Sequence, residues 1–121
     1  MDIIEDKQGA IVLLGLVGRL DSGTSPQMEE KVLGLLAGGA KQLVVNFARL
    51  DYISSAGLRV LLMAAKKLKA SGGVIALCAL KPHIREVFDI AGFTAMFPIH
   101  ESEALALRSL TNMDAPWDAR G

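Results

Sequence analysis

The residues best placed to take part in chemistry are two adjacent serines, Ser54 and Ser55, in the segment DYISSAGLR at residues 51–59. They lie between an apolar, strand-like run, LVVNF, and a helix-like run, LRVLLMAAKKLKA. A hydroxyl at such a junction can act as a helix N-cap, as a nucleophile or as the acceptor of a phosphoryl group. These three roles make different demands on the rest of the chain.

A nucleophilic serine needs a base, and no motif in the sequence supplies one. The only histidines, His83 and His100, are isolated, and Ser55 lacks the GxSxG setting of a nucleophile elbow. The single cysteine, Cys78, lies inside the apolar run VIALCAL, and together with two lone histidines it does not make a metal site. Phosphate-binding GxxxxGK[ST] and dinucleotide-binding GxGxxG motifs are absent. We therefore expect no enzymatic activity, no cofactor and no metal.

Phosphorylation has a favourable setting at the same place. A phosphoserine adds a charge of about −1.5 to −2 and three acceptor oxygens, and a helix N-terminus offers free amides and a positive dipole end. Ala56 and Gly57 leave room for an approaching partner, and Arg59, one turn on, could pair with the phosphate. The alternative is that one serine only caps the helix, which contributes about 1 kcal/mol. Both roles are compatible, because a capping serine can later be modified.

Strand and helix patterns alternate along the chain and must position these residues. Strands are predicted at 2–7, 10–18, 41–47 and 74–80, with a weak edge strand around AMFPIH; helices are predicted from Ser25 or Pro26 to Gly38, over 55–70, from Pro82 to Gly92, and over ESEALALRSL. The order ββαβαβαβα indicates an α/β domain with a mostly parallel sheet. If the second and third strands run parallel, the loop GRLDSGTSPQ emerges at the same edge as the serines.

Composition limits the class of protein. The chain has 121 residues, 51% of them hydrophobic, and its 13 basic and 13 acidic residues cancel, which argues against nucleic acid or an anionic membrane as a partner. No signal peptide or membrane span is predicted, so we expect a cytoplasmic protein, monomeric when free. The domain is predicted to cover residues 1–110, with a flexible tail over 111–121.

Three lysines on the helix over 55–70 are interpreted as its solvated face, with an anion-binding patch as the alternative: Lys66, Lys67 and Lys69.

Three segments, GRLDS, LDYISSAGLRVLL and LKPHIREVFDIAGF, occur in an order that resembles a STAS domain of the bacterial anti-sigma factor antagonist family, over roughly residues 3–110. The resemblance implies a small sheet of mixed direction flanked by helices. It also implies partner switching: the unphosphorylated protein binds a cognate serine kinase that is itself an anti-sigma factor, phosphorylation ends the binding, and a PP2C-type phosphatase restores it. A STAS domain used as a non-phosphorylated adaptor, in a signalling or transporter assembly, is the alternative function.

The resemblance also implies a docking surface, whose residues are Asp21, Ser54, Ser55, Gly57, Leu58 and Arg59. Within it, Ser55 falls on the phosphorylated serine of the family, with Ser54 as the second candidate. The family commonly has an acidic residue where Ser54 lies, and often a glycine where Arg59 lies. Asp21, in GRLD, is expected either to contact the kinase or to serve only as a loop or cap aspartate.

Overall fold

The computed structural model of the chain describes residues 1–114. Its elements, in chain order, are β1 (Asp2–Gln8), β2 (Ile11–Leu20), α1 (Ser25–Ala37), β3 (Gln42–Ile53), α2 (Ser55–Ala70), β4 (Val74–Cys78), α3 (Pro82–Ala91), a 3₁₀ turn (Phe93–Ala95), β5 (Ile99–His100) and α4 (Glu103–Asp114). The predicted order ββαβαβαβα is confirmed. Helix α4 extends four residues beyond residue 110, into the segment predicted as a tail, and residues 115–121 lie outside the described part of the chain.

The five strands form one sheet in the order β1-β2-β3-β4-β5, so the strand order follows the chain order. Strand β1 pairs antiparallel with β2, and the remaining pairs are all parallel. The expected sheet, mixed in direction but mostly parallel, is therefore confirmed. Helices α1, α2 and α3 provide the three crossovers, each between neighbouring strands.

Strand β2 shows how the two faces of the sheet are covered. Its side chains alternate, so that Val12 and Leu14 join the main core with α1, α2 and α3. Ile11 and Leu13 instead join a smaller core with Ala106 and Leu110 of α4. The unbroken apolar run of this strand thus reflects burial on both faces, as expected for a central strand.

Two strands run further than their sequences predict. Strand β3 continues to Ile53 rather than ending at residue 47, and β2 continues to Leu20 rather than 18. The pairing of the two shifts register twice on the way, between Gly15 and Val17 and again between Gly18 and Arg19. Such bulges add unpaired residues and interrupt the alternation of side chains. The polar residues of this stretch therefore look like a loop in the sequence, although the strand continues.

Strand β4 ends two residues earlier than predicted, at Cys78. The next residue, Ala79, has a φ of 60°, in the left-handed region that residues other than glycine rarely adopt. Its amide N–H still donates to the carbonyl of His100, at 3.0 Å. The chain therefore turns away from the sheet at Ala79 toward the start of α3.

Candidate functional site at the carboxyl edge of the sheet

The longer strands bring the loop after β2 beside the serine pair. Leu20 and Ile53 are the last paired residues of β2 and β3, which run parallel. The amide N–H of the next residue, Ser54, donates to the Leu20 carbonyl at 2.9 Å. Asp21 and Ser54 therefore each follow the end of one of two adjacent strands, at the carboxyl edge where α/β sheets commonly bind ligands.

The two serines have different surroundings. Ser54 has an extended backbone and is the N-cap of α2, its Oγ accepting a hydrogen bond from the Gly57 amide at 3.4 Å. Its carbonyl accepts from the Leu58 amide at 3.0 Å. Ser55 is the first residue of the helix and is exposed, and its hydroxyl makes no hydrogen bond within residues 1–114. The cap belongs to Ser54, which leaves the Ser55 hydroxyl uncommitted.

Gly57 and Leu58, predicted as part of the docking surface, are buried beneath it. Leu58 is 7% exposed and packs in the main core. A Cβ added to Gly57 would lie 2.8 Å from Leu20 Cγ and 3.0 Å from the Leu20 carbonyl oxygen. These two residues therefore hold the first turn of α2 against the end of β2, beneath the exposed Ser55 and Arg59.

Asp21 organises the turn between β2 and α1. Its Oδ1 accepts from the amides of Gly23 and Thr24, at 3.0 and 3.1 Å, and from the Thr24 hydroxyl at 3.2 Å. Partial desolvation acts to raise the pKa of the Asp21 carboxyl, but these hydrogen bonds and the charge of Arg19 hold that pKa below its usual value. Arg19 Nε lies 3.7 Å from Oδ2. Asp21 thus forms the hydrogen bonds of a loop aspartate, and its Oδ2 lies beside the exposed guanidinium of Arg19.

Arg59 lies one turn beyond Ser55 and is exposed. The first turn of α2 contains no acidic residue that would pair with it. Arg59 also borders a groove of about 460 Å³ between the starts of α1 and α2, whose other lining residues are Ser22, Ser25, Pro26, Glu29, Ala56, Val60 and Met63. The residues of α1 that line this groove were not predicted as site residues, because nothing in the sequence indicates that the starts of α1 and α2 lie side by side.

A second group at the same edge links β3 to α3. Lys81 Nζ lies 2.5 Å from Asp51 Oδ1, and this hydrogen bond together with the lysine charge lowers the pKa of Asp51. His83 Nε2 lies 2.7 Å from the Asp51 carbonyl oxygen, which can only accept, so this nitrogen carries a proton. On the neighbouring strand, the Arg19 guanidinium lies 4.2 Å from the centre of the Tyr52 ring. Non-covalent contacts of polar and charged side chains therefore join β3 to the start of α3 and to β2 at the edge where the serines lie.

The side chains considered for catalysis do not assemble around Ser55. Within residues 1–114, neither His83 nor His100 hydrogen-bonds to it, and the buried Nε2 of His100 has no partner there. Cys78 is fully buried, and burial, with a smaller effect of Glu103, raises the pKa of its thiol to about 11. The described part of the chain holds no cluster of three or more potential metal ligands, and none of its helices could span a bilayer.

Comparison with known proteins places this geometry in a family. A family model described as the STAS domain matches residues 3–106. The candidate anti-sigma factor antagonist BtrV of Bordetella bronchiseptica is 42% identical over 106 residues, which cover 88% of this chain and 91% of BtrV.

Two solved structures of SpoIIAA, a cell fate determinant of Bacillus, share the fold. The unphosphorylated anti-sigma factor antagonist SpoIIAA is 24% identical, with a TM-score of 0.72 over 91% of this chain and 98% of its own. The phosphorylated form is also 24% identical, with a TM-score of 0.73 over 90% of this chain and 99% of its own. The likeness therefore covers nearly the whole of both chains.

Proposed function

Because this chain belongs to the STAS domain family, we propose that it acts as an anti-sigma factor antagonist switched by phosphorylation at Ser55. In its unphosphorylated form it binds and sequesters a serine kinase that is also an anti-sigma factor. Transfer of a phosphoryl group from ATP to Ser55 ends this binding, and a PP2C-type phosphatase removes the phosphate. The chain is then a cytoplasmic binding protein rather than an enzyme, and it is monomeric when free.

The observation that carries this proposal is the division of roles between the two serines. Ser54 caps α2, so the helix start does not depend on the hydroxyl of Ser55. Ser55 is exposed and makes no side-chain hydrogen bond within the described residues, so a kinase can reach its Oγ without breaking the cap. Accessibility and an uncommitted hydroxyl are what a reversible modification site requires.

A phosphate on Ser55 should leave the fold intact. The first-turn amides of α2 and its positive dipole end favour an anion, and Arg59 lies one turn away on the same face. The effect of the modification is therefore expected at the docking surface, through added charge and bulk. In this proposal the surface consists of Ser54, Ser55 and Arg59 with the Asp21 turn beside them, held in place by the buried Gly57 and Leu58.

The test is phosphorylation by the kinase that copurifies with the chain in its own cells. Intact mass and phosphopeptide mapping of the product should show one phosphate, on Ser55. The Ser55→Ala variant should bind the kinase but accept no phosphate, whereas Ser54→Ala should still be modified. Ser22→Ala, which alters another exposed serine in the neighbouring loop, serves as the matched control.

Stoichiometric phosphorylation of the Ser55→Ala variant on the same peptide would show that the assignment is wrong. A chain that no copurifying kinase modifies, and that is recovered unmodified in a stable complex, would instead support the non-phosphorylated adaptor. Labelling of Ser55 by a fluorophosphonate probe would point to a nucleophile.

A further inference from the structure

Helix α2 carries a line of five residues that begins at the serine of the proposed switch. Their spacing of four, three, four and three positions places one residue on the same side of the helix at each turn: Ser55, Arg59, Leu62, Lys66 and Lys69. We call this line the α2 stripe. Leu62 is half-buried and the other four residues are exposed. At 1.5 Å per residue the stripe is about 21 Å long.

The stripe is positively charged and has no internal counter-charge. Its three cations are joined by Lys67 on the same helix, and α2 contains no acidic residue at all. Within residues 1–114 none of these four cations forms a salt bridge, whereas lysines elsewhere do, such as Lys31 with Glu5 and Lys81 with Asp51. The whole chain is electrically balanced, with 13 residues of each sign. The charge on α2 is therefore a local concentration and not a consequence of a basic protein.

The stability of the helix explains only part of this pattern. Lys67 and Lys69 lie in the last turn, where a cation interacts favourably with the negative end of the helix dipole. Arg59 lies near the opposite, positive end and gains nothing from the dipole. Unpaired like charges on one helix face also repel each other. Arg59 and Lys66 form no salt bridge within residues 1–114, although Glu29 of α1 lines the same groove as Arg59. Cations that are exposed and not held in a salt bridge are available to meet a charged partner.

We propose that the α2 stripe is the docking track for an acidic surface of the kinase that phosphorylates Ser55. This inference rests on the proposed function, and it adds the chemistry of the partner. Charge complementarity supports it, and so does continuity, because Ser55 and Arg59 already belong to the docking surface and the stripe extends that surface along α2. Leu62, in the middle of the stripe, offers an apolar contact between the cations. The four cations of α2 are at the low end of the about four to eight that membrane-binding basic clusters carry, and the chain as a whole has no net charge. A protein face therefore suits this stripe better than a nucleic acid or a membrane.

The stripe also gives phosphorylation a larger effect than it would have on a neutral surface. A phosphate on Ser55 stands at the head of the stripe, one turn from Arg59. There it pairs with the cation closest to the switch and repels the acidic surface of the kinase. The same modification thus removes an attraction and adds a repulsion.

The inference is tested by the rate at which the kinase associates with a charge-reversed stripe. The variant Lys66→Glu with Lys69→Glu leaves Ser55 and Arg59 unchanged. Its association with the purified kinase should be about tenfold slower at low ionic strength, with a weaker dependence on salt. The matched control is Lys7→Glu with Arg108→Glu, which changes the net charge equally at exposed cations on β1 and α4 that form no salt bridge within residues 1–114. The control should associate at a rate close to that of the parent chain.

A neutral version of the variant, Lys66→Gln with Lys69→Gln, places no acidic side chain at the negative end of the α2 dipole and should show a smaller effect of the same sign. If both stripe variants associate at the rate of the control while Ser55 is still phosphorylated, the inference is wrong and the proposed function stands. If the stripe variants lose binding to vesicles of phosphatidylcholine and phosphatidylserine, or to polyuridylate, with kinase association unchanged, the inference is overturned in favour of a membrane or RNA. If the parent chain is not phosphorylated at Ser55, the proposed function fails and the inference fails with it.

Discussion

The amide N–H of Ser54 donates a hydrogen bond to the main-chain carbonyl of Leu20, with 2.9 Å between nitrogen and oxygen. This bond joins the end of β2 to the residue that caps α2. Because Asp21 follows Leu20 directly, the turn that it organises and the start of the serine-bearing helix are held together. A substitution in the Asp21 turn should therefore also shift the start of α2, and a substitution at the start of α2 should shift the Asp21 turn.

The two serines should separate stability from phosphorylation. Ser54→Ala removes the cap of α2 and is expected to lower the free energy of unfolding by about 1 kcal/mol. Ser55→Ala breaks no hydrogen bond within the described chain and should stay within about 0.5 kcal/mol of the parent. Urea denaturation of both variants measures the difference. Equal losses of stability would mean that the cap is shared between the two hydroxyls.

Gly57→Ala should destabilise the protein by about 1–3 kcal/mol, as overpacking of a tight site does. The new Cβ would lie 2.8 Å from Leu20 Cγ and 3.0 Å from Ile53 Cγ1, so the first turn of α2 must shift outward. The matched control is Gly34→Ala in α1, where a Cβ meets nothing within 4 Å. That change should stabilise the helix by about 0.5–1 kcal/mol. Thermal unfolding should show a lower melting temperature for Gly57→Ala and a higher one for Gly34→Ala. A higher melting temperature for both variants would contradict the close approach of Gly57 to Leu20.

Ser55→Asp should fold normally and bind the kinase more weakly than the parent chain. A carboxylate in the first turn of α2 meets the positive end of the helix dipole, so no loss of thermal stability is expected. Its charge is smaller than that of a phosphate, so the loss of binding should be partial. Ser55→Asn, which is similar in size but uncharged, separates charge from bulk. A clear drop in the melting temperature of the aspartate variant would argue against the effect expected at a helix start.

Acid should weaken the fold partly through Asp21. Its carboxyl has a pKa below the usual value in the folded chain, so the folded state binds this proton less readily than the unfolded state. The resulting stabilisation is present above about pH 4, the usual aspartate value, and is lost as the pH falls through the lower, folded-state pKa. Asp21→Asn keeps an acceptor oxygen for the amides of Gly23 and Thr24 but cannot titrate. The variant should be less stable than the parent at pH 7, and urea titrations should show this difference shrinking at pH 3; a constant difference would contradict the assignment.

The thiol of Cys78 should be inert in the native protein. It is fully buried, and a pKa of about 11 leaves roughly one thiol in a thousand ionised at pH 8. Reaction with Ellman's reagent should therefore be slow in buffer and should become fast only at urea concentrations that unfold the chain. Rapid, stoichiometric labelling in the absence of urea would show that β4 is accessible from the side of α4.

Periodicity predicted most of the fold, because the elements that build the core are long and regular. The helix over 55–70 and the buried strand β2 were both readable from the spacing of apolar residues. The last residues of β2 and β3 could not be predicted in this way. Two register shifts in the pairing of these strands place polar residues within them. As a result, the sequence predicts that the strand ends at residue 47, whereas β3 runs to Ile53 and the serines follow it directly.

The candidate site was predicted only in part for a related reason. The serine pair and Asp21 carry recognisable local patterns, and the structure brings them to one edge. Which serine is the cap depends on one backbone conformation, that of Ser54, which the sequence SSAG leaves open. The burial of Gly57 and Leu58 depends on contact with Leu20, which is distant in sequence. Residues whose role depends on long-range packing cannot be assigned from local spacing alone.

The sheet adds its strands in the order in which the chain is written. Each crossover leads to the strand next in line, so no strand has to be inserted between two that are already paired. During synthesis, β1 and β2 can pair first, and each later helix and strand can then add to the growing edge as it leaves the ribosome. The start of α2, with Ser55, can dock on β2 and β3 before β5 has left the ribosome, and α4 would then close the remaining face.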